Sequence, residues 1–207
     1  MLKLYGAPPT RALRVMWLLN ELGLEYEMHP VNVMQGETRQ PDFLALNPAA
    51  KLPVLVDGDV VLTESAAIQL YLAEKYPEAG LIPAALEDRA QVYRWMFFLV
   101  TEIEQPLWRI ARHTFIYPEE KRLPRDVELA TQDCVRMLAV LERHMEDREF
   151  MVADRLSVAD FNAAYTLDWA NEARMLGNTP RLQEYVRSMY ARSTAPPTIG
   201  EAMAATQ

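Results

Sequence analysis

The pattern of apolar residues changes character once along the chain, near residue 80, and this constrains the fold more than any single motif. Before that point short β-type runs alternate with segments of helical period; beyond it nearly every apolar stripe repeats at three- and four-residue spacing. A chain written this way predicts two successive domains, and 207 residues are enough for two separate cores. Leu2 to Tyr5 predicts a short strand. After the Ala7-Pro8-Pro9 turn a helix begins at Thr10, with Val15, Leu18, Leu19 and Leu22 on one face and Gly23 as its stop. Tyr26 to Val33 predicts a second strand, interrupted by Pro30, and a mostly irregular segment follows. Val54-Leu55-Val56 and Val60-Val61-Leu62 flank Asp57-Gly58-Asp59, a hairpin signal in which glycine supplies the positive φ of the turn. A helix from Ser65 ends before Pro77, whose ring cannot continue it.

This order of elements is the thioredoxin-like one, and residues 1–77 are assigned to a β-α-β-α-β-β-α domain. Residues 78–85, bounded by prolines around Gly80, read as a linker. Residues 86–207 are assigned to an all-helical domain, with helices at about 86–116, 125–147, 157–171 and 180–191, the first bent at Pro106. Cys134 lies within the stripe Val127, Thr131, Cys134, Leu138, Leu141 and Met145, so an inert buried thiol is expected. As the only cysteine it forms no internal disulfide.

Several function classes lose support here. A formal charge of −8 with scattered basic residues disfavours nucleic acid and anionic membrane surfaces as partners. The longest apolar runs fall far short of the roughly 20 residues that span a bilayer. The first residues resemble neither a signal nor a transit peptide, so a cytoplasmic location is expected. His29, His113 and His144 are too widely spaced to predict a metal site, and no phosphate-binding glycine motif is present.

In a thioredoxin-like unit the chemistry belongs where the first strand meets the first helix, because exposed N–H groups and the helix dipole favour an anion there. Redox members place Cys-x-x-Cys at that corner. This chain has Ala7-Pro8-Pro9-Thr10, so a reactive thiol must arrive with the ligand.

Four segments then carry a resemblance to the cytosolic glutathione transferases over essentially the whole chain. Thr10-Arg11-Ala12-Leu13-Arg14 and the helix after it resemble the bacterial and fungal Ser-Arg-x-x-Arg branch, with threonine in the serine position. Pro41-Asp42-Phe43 to Pro48, followed by Lys51-Leu52-Pro53-Val54, resembles the segment around the family's cis-proline. Thr63-Glu64-Ser65-Ala66-Ala67-Ile68 resembles the element opening its third helix, and Ser157-Val158-Ala159-Asp160-Phe161 its helical-domain capping motif. The last is an S-x-x-D capping box, structural rather than catalytic.

The resemblance implies glutathione as co-substrate, no metal, a homodimer and attack on a hydrophobic electrophile, with peroxide reduction as a related activity. The tripeptide carries two carboxylates and one ammonium, and the residues offer complementary groups. Ser65, as the N-cap of its helix, is the candidate for the γ-glutamyl carboxylate and Glu64 for the ammonium. The backbone of Leu52, before a cis Pro53, is the candidate for strand-like pairing with the cysteinyl part. Arg39 and Lys51 are the candidates for the glycine carboxylate. A free thiol with a pKa near 8.5 is only about 3% ionised at pH 7, so a donor must stabilise the thiolate. Thr10, as helix N-cap with its proton free to donate, is the candidate, and Tyr5 at the strand end is its rival. Arg11 and Arg14 are candidates for electrostatic support. Trp108, Arg112, His113 and Tyr117, near the end of the long helix, are the candidate electrophile contacts. A second reading is a noncatalytic member of the same fold that binds a protein partner or an apolar ligand.

Overall fold

The computed structural model describes residues 1–205, which divide into two compact units. The first comprises Met1–Ile82 together with the chain from Arg192 onward; the second is Pro83–Ala191. The sequence pattern assigns everything after residue 85 to the helical domain, whereas the segment from Arg192 belongs with the first unit. The return of the C-terminal segment has a polar cause: Arg192 and the Thr194 hydroxyl both bond the Glu21 carboxylate, and Asn20 Nδ2 donates to the Thr194 carbonyl. The segment ends in a short helix over Ile199–Ala204, held by a Thr198/Glu201 capping box. Its T-x-x-E signal is present in the sequence at Thr198 and Glu201.

The first unit is built on four strands, β1 (Leu2–Gly6), β2 (Tyr26–Pro30), β3 (Val54–Asp57) and β4 (Val60–Thr63), in the spatial order β2-β1-β3-β4. β1 runs parallel to β2 and antiparallel to β3, and β3–β4 is the expected hairpin, with Gly58 at φ +59°. Helices α1 (Ala12–Glu21), α2 (Pro41–Leu46) and α3 (Ser65–Lys75) complete the β-α-β-α-β-β-α order. α1 buries Leu13, Val15, Trp17, Leu18 and Leu19, while α3 buries Ile68 and Leu72. Each such side chain contributes about 1.5–3 kcal/mol on leaving water.

The second unit holds α4 (Leu86–Phe98), α5 (Gln105–Ala111), α6 (Pro124–His144), α7 (Val158–Glu172) and α8 (Pro180–Tyr190). α4 and α5 are one long helical run interrupted by a wide π-helical turn at Leu99–Glu104. That turn sits just before Pro106, whose missing N–H breaks the regular ladder there, so the interruption expected at this proline is a widened turn. α7 is buried along nearly its whole length. Its capping box works as read: Asp160, fully buried, accepts from the Ser157 N–H and hydroxyl at 2.8 and 2.9 Å, from the Met151 N–H at 2.8 Å and from the Tyr185 hydroxyl at 2.8 Å. Cys134 is buried in the α6 stripe, and burial pushes its thiol pKa up to about 12, so it is inert. Among the described residues no helix is long and apolar enough to cross a membrane.

Candidate active site

Strand register gathers the site. Tyr5 pairs with Val54, and Val54 pairs with Thr63, so the chain beyond each of these residues emerges at one end of the sheet. That end therefore collects the Gly6–Thr10 turn, the Leu52–Pro53 step and the Glu64–Ser65 step. The Leu52–Pro53 bond is cis, as the resemblance implied, and Pro8–Pro9 is cis as well. Gly6 is required here by close approach: a Cβ on it would lie 2.5 Å from the Ala12 Cβ.

Thr10 differs from its expected role in two respects. Arg11, not Thr10, occupies the N-cap of α1; Thr10 stands one residue earlier, and its hydroxyl accepts only a long bond from the Ala12 N–H at 3.3 Å. Its own proton is directed at the Ala7 carbonyl rather than held free. The cause is the tight turn, which also directs the Thr10 N–H to Ala7 O at 2.8 Å. Tyr5 is a packing residue. Its ring stacks on His29 at 4.5 Å between centroids and lies against Val31, Phe43 and Val54. It also forms part of the wall of a surface hollow of about 480 Å³ shared with His29, Gln40, Phe43 and Leu46.

Ser65 is likewise not an N-cap. Glu64 takes that position with φ 65° and ψ 104°, an unusual conformation for a non-glycine residue, and Ser65 is the first helical residue of α3. Strain of this kind collects at functional sites. The Ser65 Oγ accepts from Arg14 Nη2 at 2.6 Å and Nε at 3.1 Å. Arg14 is only 2% exposed and Ser65 3%, so this is a buried contact between α1 and α3. Gln69, one turn after Ser65, donates to the Arg14 carbonyl at 3.1 Å. Sequence reasoning missed this pairing. The signal was Arg14 standing between Leu13 and Val15, with Ser65 and Gln69 at i and i+4 on the opposing helix.

Arg39 and Lys51 are both exposed, and neither makes an ion pair among the described residues. A further residue was not anticipated: buried Asn47 donates to the Lys51 carbonyl at 2.8 Å and accepts from the Ala49 N–H at 3.0 Å, which fixes the chain leading into Leu52–Pro53. In the helical unit, Arg112 lies over the Tyr117 ring at 4.8 Å and His113 meets the same ring at 5.2 Å. His113 is committed to structure, accepting from the Leu123 N–H at 3.2 Å and standing 3.4 Å from Asp126. Trp108 packs edge-on to Trp169, 6.5 Å away. Phe115 and Ile116, which had not been singled out, are exposed in the same turn. Among the described residues no group of three or more His, Cys, Asp and Glu is arranged to hold a metal.

Residues 1–74 match the family model for the glutathione S-transferase N-terminal domain, and residues 110–188 match the model for its C-terminal domain. Glutathione S-transferase F9 of Arabidopsis thaliana is 34% identical over 77% of this chain and 76% of its own. Glutathione S-transferase 3 of Zea mays is 36% identical over 79% and 75%. Among solved structures, glutathione transferase F7 of Populus trichocarpa superposes with a TM-score of 0.85 at 25% identity, covering 98% of this chain and 99% of that one. A glutathione transferase of Burkholderia graminis, with two glutathione molecules bound per subunit, gives 0.83 at 29% identity, covering 94% and 85%. With the register, the cis-proline and the opening of α3 all in place, the chain belongs to the glutathione S-transferase family of enzymes.

Proposed function

We propose that the chain binds glutathione at the gathered end of the sheet, ionises its thiol and directs the thiolate at a hydrophobic electrophile. Ser65 and the free N–H groups opening α3 receive the γ-glutamyl carboxylate, Glu64 its ammonium, and the Leu52 backbone the cysteinyl unit. Arg39 or Lys51 meets the glycine carboxylate. The observation that carries this reading is the Ser65 hydroxyl at the start of α3, held as an acceptor by buried Arg14. Lowering a thiol pKa from about 8.5 by two units requires roughly 2.7 kcal/mol. A hydroxyl donor together with the N-terminus of α1 is sufficient in kind, each contributing on the order of 1–2 kcal/mol.

Thr10 is the proposed donor, and to act it must turn its proton from Ala7 to the sulfur. Tyr5 is the less suitable group because its ring is engaged in packing against His29 and the Phe43 cluster. Trp108, Arg112, His113 and Tyr117 are the proposed electrophile contacts. The same thiolate can attack a peroxide oxygen, breaking the O–O bond so that the other oxygen leaves, protonated, as the alcohol and the sulfur is left as a sulfenic acid. A second glutathione thiol then displaces that hydroxyl as water and forms the disulfide. Placement in the Ser-Arg-x-x-Arg branch, a cytoplasmic location, a role in detoxification and a homodimer belong to this proposal.

The noncatalytic reading has one observation in its favour, the commitment of the Thr10 proton to the Ala7 carbonyl. Calorimetric titration with glutathione, combined with turnover assays on an aryl halide and an organic hydroperoxide, separates the two. The proposal expects binding and at least one accelerated reaction. Binding without acceleration supports the noncatalytic reading, and absence of binding contradicts the transferase proposal and leaves a protein partner or an apolar ligand as the occupant.

A further inference from the structure

We propose that Arg14 is a positioning residue for the γ-glutamyl carboxylate, acting through Ser65 without touching the ligand; the inference rests on the glutathione-binding reading above. A guanidinium carries donors only, at any pH a protein experiences. A serine hydroxyl has two acceptor directions and one proton. Arg14 places Nη2 at 2.6 Å and Nε at 3.1 Å from the Ser65 Oγ, and so occupies its acceptor side. The Ser65 proton is therefore directed away from Arg14.

Serine at an ordinary helix start divides its time between capping, back-bonding and solvent. Ser65 has lost that freedom. It is nine-tenths buried, is not the N-cap, and is the first residue of an 11-residue helix, where its own N–H has no partner within α3. Its hydroxyl and its N–H then form a donor pair belonging to one residue, matched to an acceptor-only group such as a carboxylate and mismatched to a carboxamide. Hydrogen bonds in series polarise one another, so the charged donors of Arg14 also strengthen Ser65 as a donor. Arg14 is fixed from the other side by Gln69, which bonds its carbonyl from the same face of α3. Two nitrogens of one planar fork make the contact, a geometry that a lysine ammonium cannot reproduce.

The test is a binding cycle with two probes: glutathione, and the analogue in which 4-aminobutyryl replaces the γ-glutamyl group, so that this one carboxylate is missing. Affinities are measured by calorimetry for the wild type, Arg14→Lys, Arg14→Met, Ser65→Ala and the Arg14→Met/Ser65→Ala double variant, with thermal midpoints recorded for each. Arg14→Met and Ser65→Ala are each expected to weaken glutathione roughly tenfold, the double variant no more than either single one, and Arg14→Lys to weaken it nearly as much as Arg14→Met. Affinity for the analogue is expected to be the same in every variant that folds. Should Arg14→Met not fold, Arg14→Lys and its combination with Ser65→Ala complete the same cycle. A purely structural arginine would lower the thermal midpoint while its effect on glutathione multiplied with that of Ser65→Ala, or extended to the analogue; either result overturns the proposal. Wild-type affinity in Arg14→Lys overturns it too. A wild type that binds glutathione no better than the analogue overturns the assignment of Ser65 itself, and one that binds neither overturns the glutathione reading.

Discussion

Thr10 and Ser65 are two hydroxyls of the same chemistry, each beside the start of a helix at the same end of one sheet, yet their hydrogen bonds run in opposite senses. Thr10 gives its proton to the Ala7 carbonyl and accepts weakly from Ala12. Ser65 accepts twice from Arg14 and has its proton left to give. The turn before α1 provides a bare carbonyl, whereas the neighbour of α3 is a buried cation. Placement at a helix start thus makes a hydroxyl available, but the partner contributed by the rest of the unit decides whether it serves as donor or acceptor. The Thr10 side must rearrange when a thiol arrives; the Ser65 side is organised beforehand.

The contrast can be broken or sharpened by substitutions at four residues. The largest effect is expected from a control in the helical unit, which holds neither hydroxyl. Asp160→Asn turns an amide NH₂ toward the Ser157 N–H and hydroxyl, and chemical denaturation should record a loss of about 3–5 kcal/mol with glutathione affinity retained in the folded fraction. Burial pushes the Asp160 pKa up to about 6, above the usual range of an unfolded chain. The stability linked to its bound proton is therefore fully present below about pH 4 and is lost as pH rises through about 6, a dependence the Asn variant should lack.

Thr10→Val comes next. It removes the donor while keeping the shape, and if the bound thiol returns from about 6.5 to 8.5, turnover at pH 7 should fall roughly 25-fold, with most of the loss recovered near pH 9. The sign follows from a depressed thiol pKa: activity rises with pH until the thiol is ionised, so the wild type reaches its plateau at lower pH than the variant. Thr10→Ser should stay close to wild type. Ser65→Ala should raise the KM for glutathione about tenfold and leave the pH profile unchanged, since it removes a binding donor rather than the thiol's partner. Tyr5→Phe should change turnover less than about threefold, because its ring packing against His29 and Phe43 survives the loss of the hydroxyl.

What the sequence revealed divides along the same line. The strands, the β3–β4 hairpin, the helical run from Leu86 to Ile116 and the Ser157/Asp160 box were legible because period, glycine chemistry and capping are local. The Thr10 and Ser65 caps were each displaced by one residue, since the chain enters its helix in a conformation that composition alone does not fix. Arg14 read as electrostatic support for the thiolate because its partner lies 51 residues away on α3, and only the packing of α1 against α3 makes it a buried donor to Ser65. The short helix over Ile199–Ala204 did carry a local signal at Thr198 and Glu201. Six residues yield too little periodicity for that signal to stand out.

The most direct measurement is a pH titration, from 5 to 9, of the ultraviolet thiolate absorbance of glutathione bound to the protein, set against free glutathione and the Thr10→Val complex. A bound-thiol pKa roughly two units below the free value of about 8.5, returning toward it in Thr10→Val, is the predicted result. A bound thiol that titrates like the free one, or a lowered pKa indifferent to Thr10, would contradict the account.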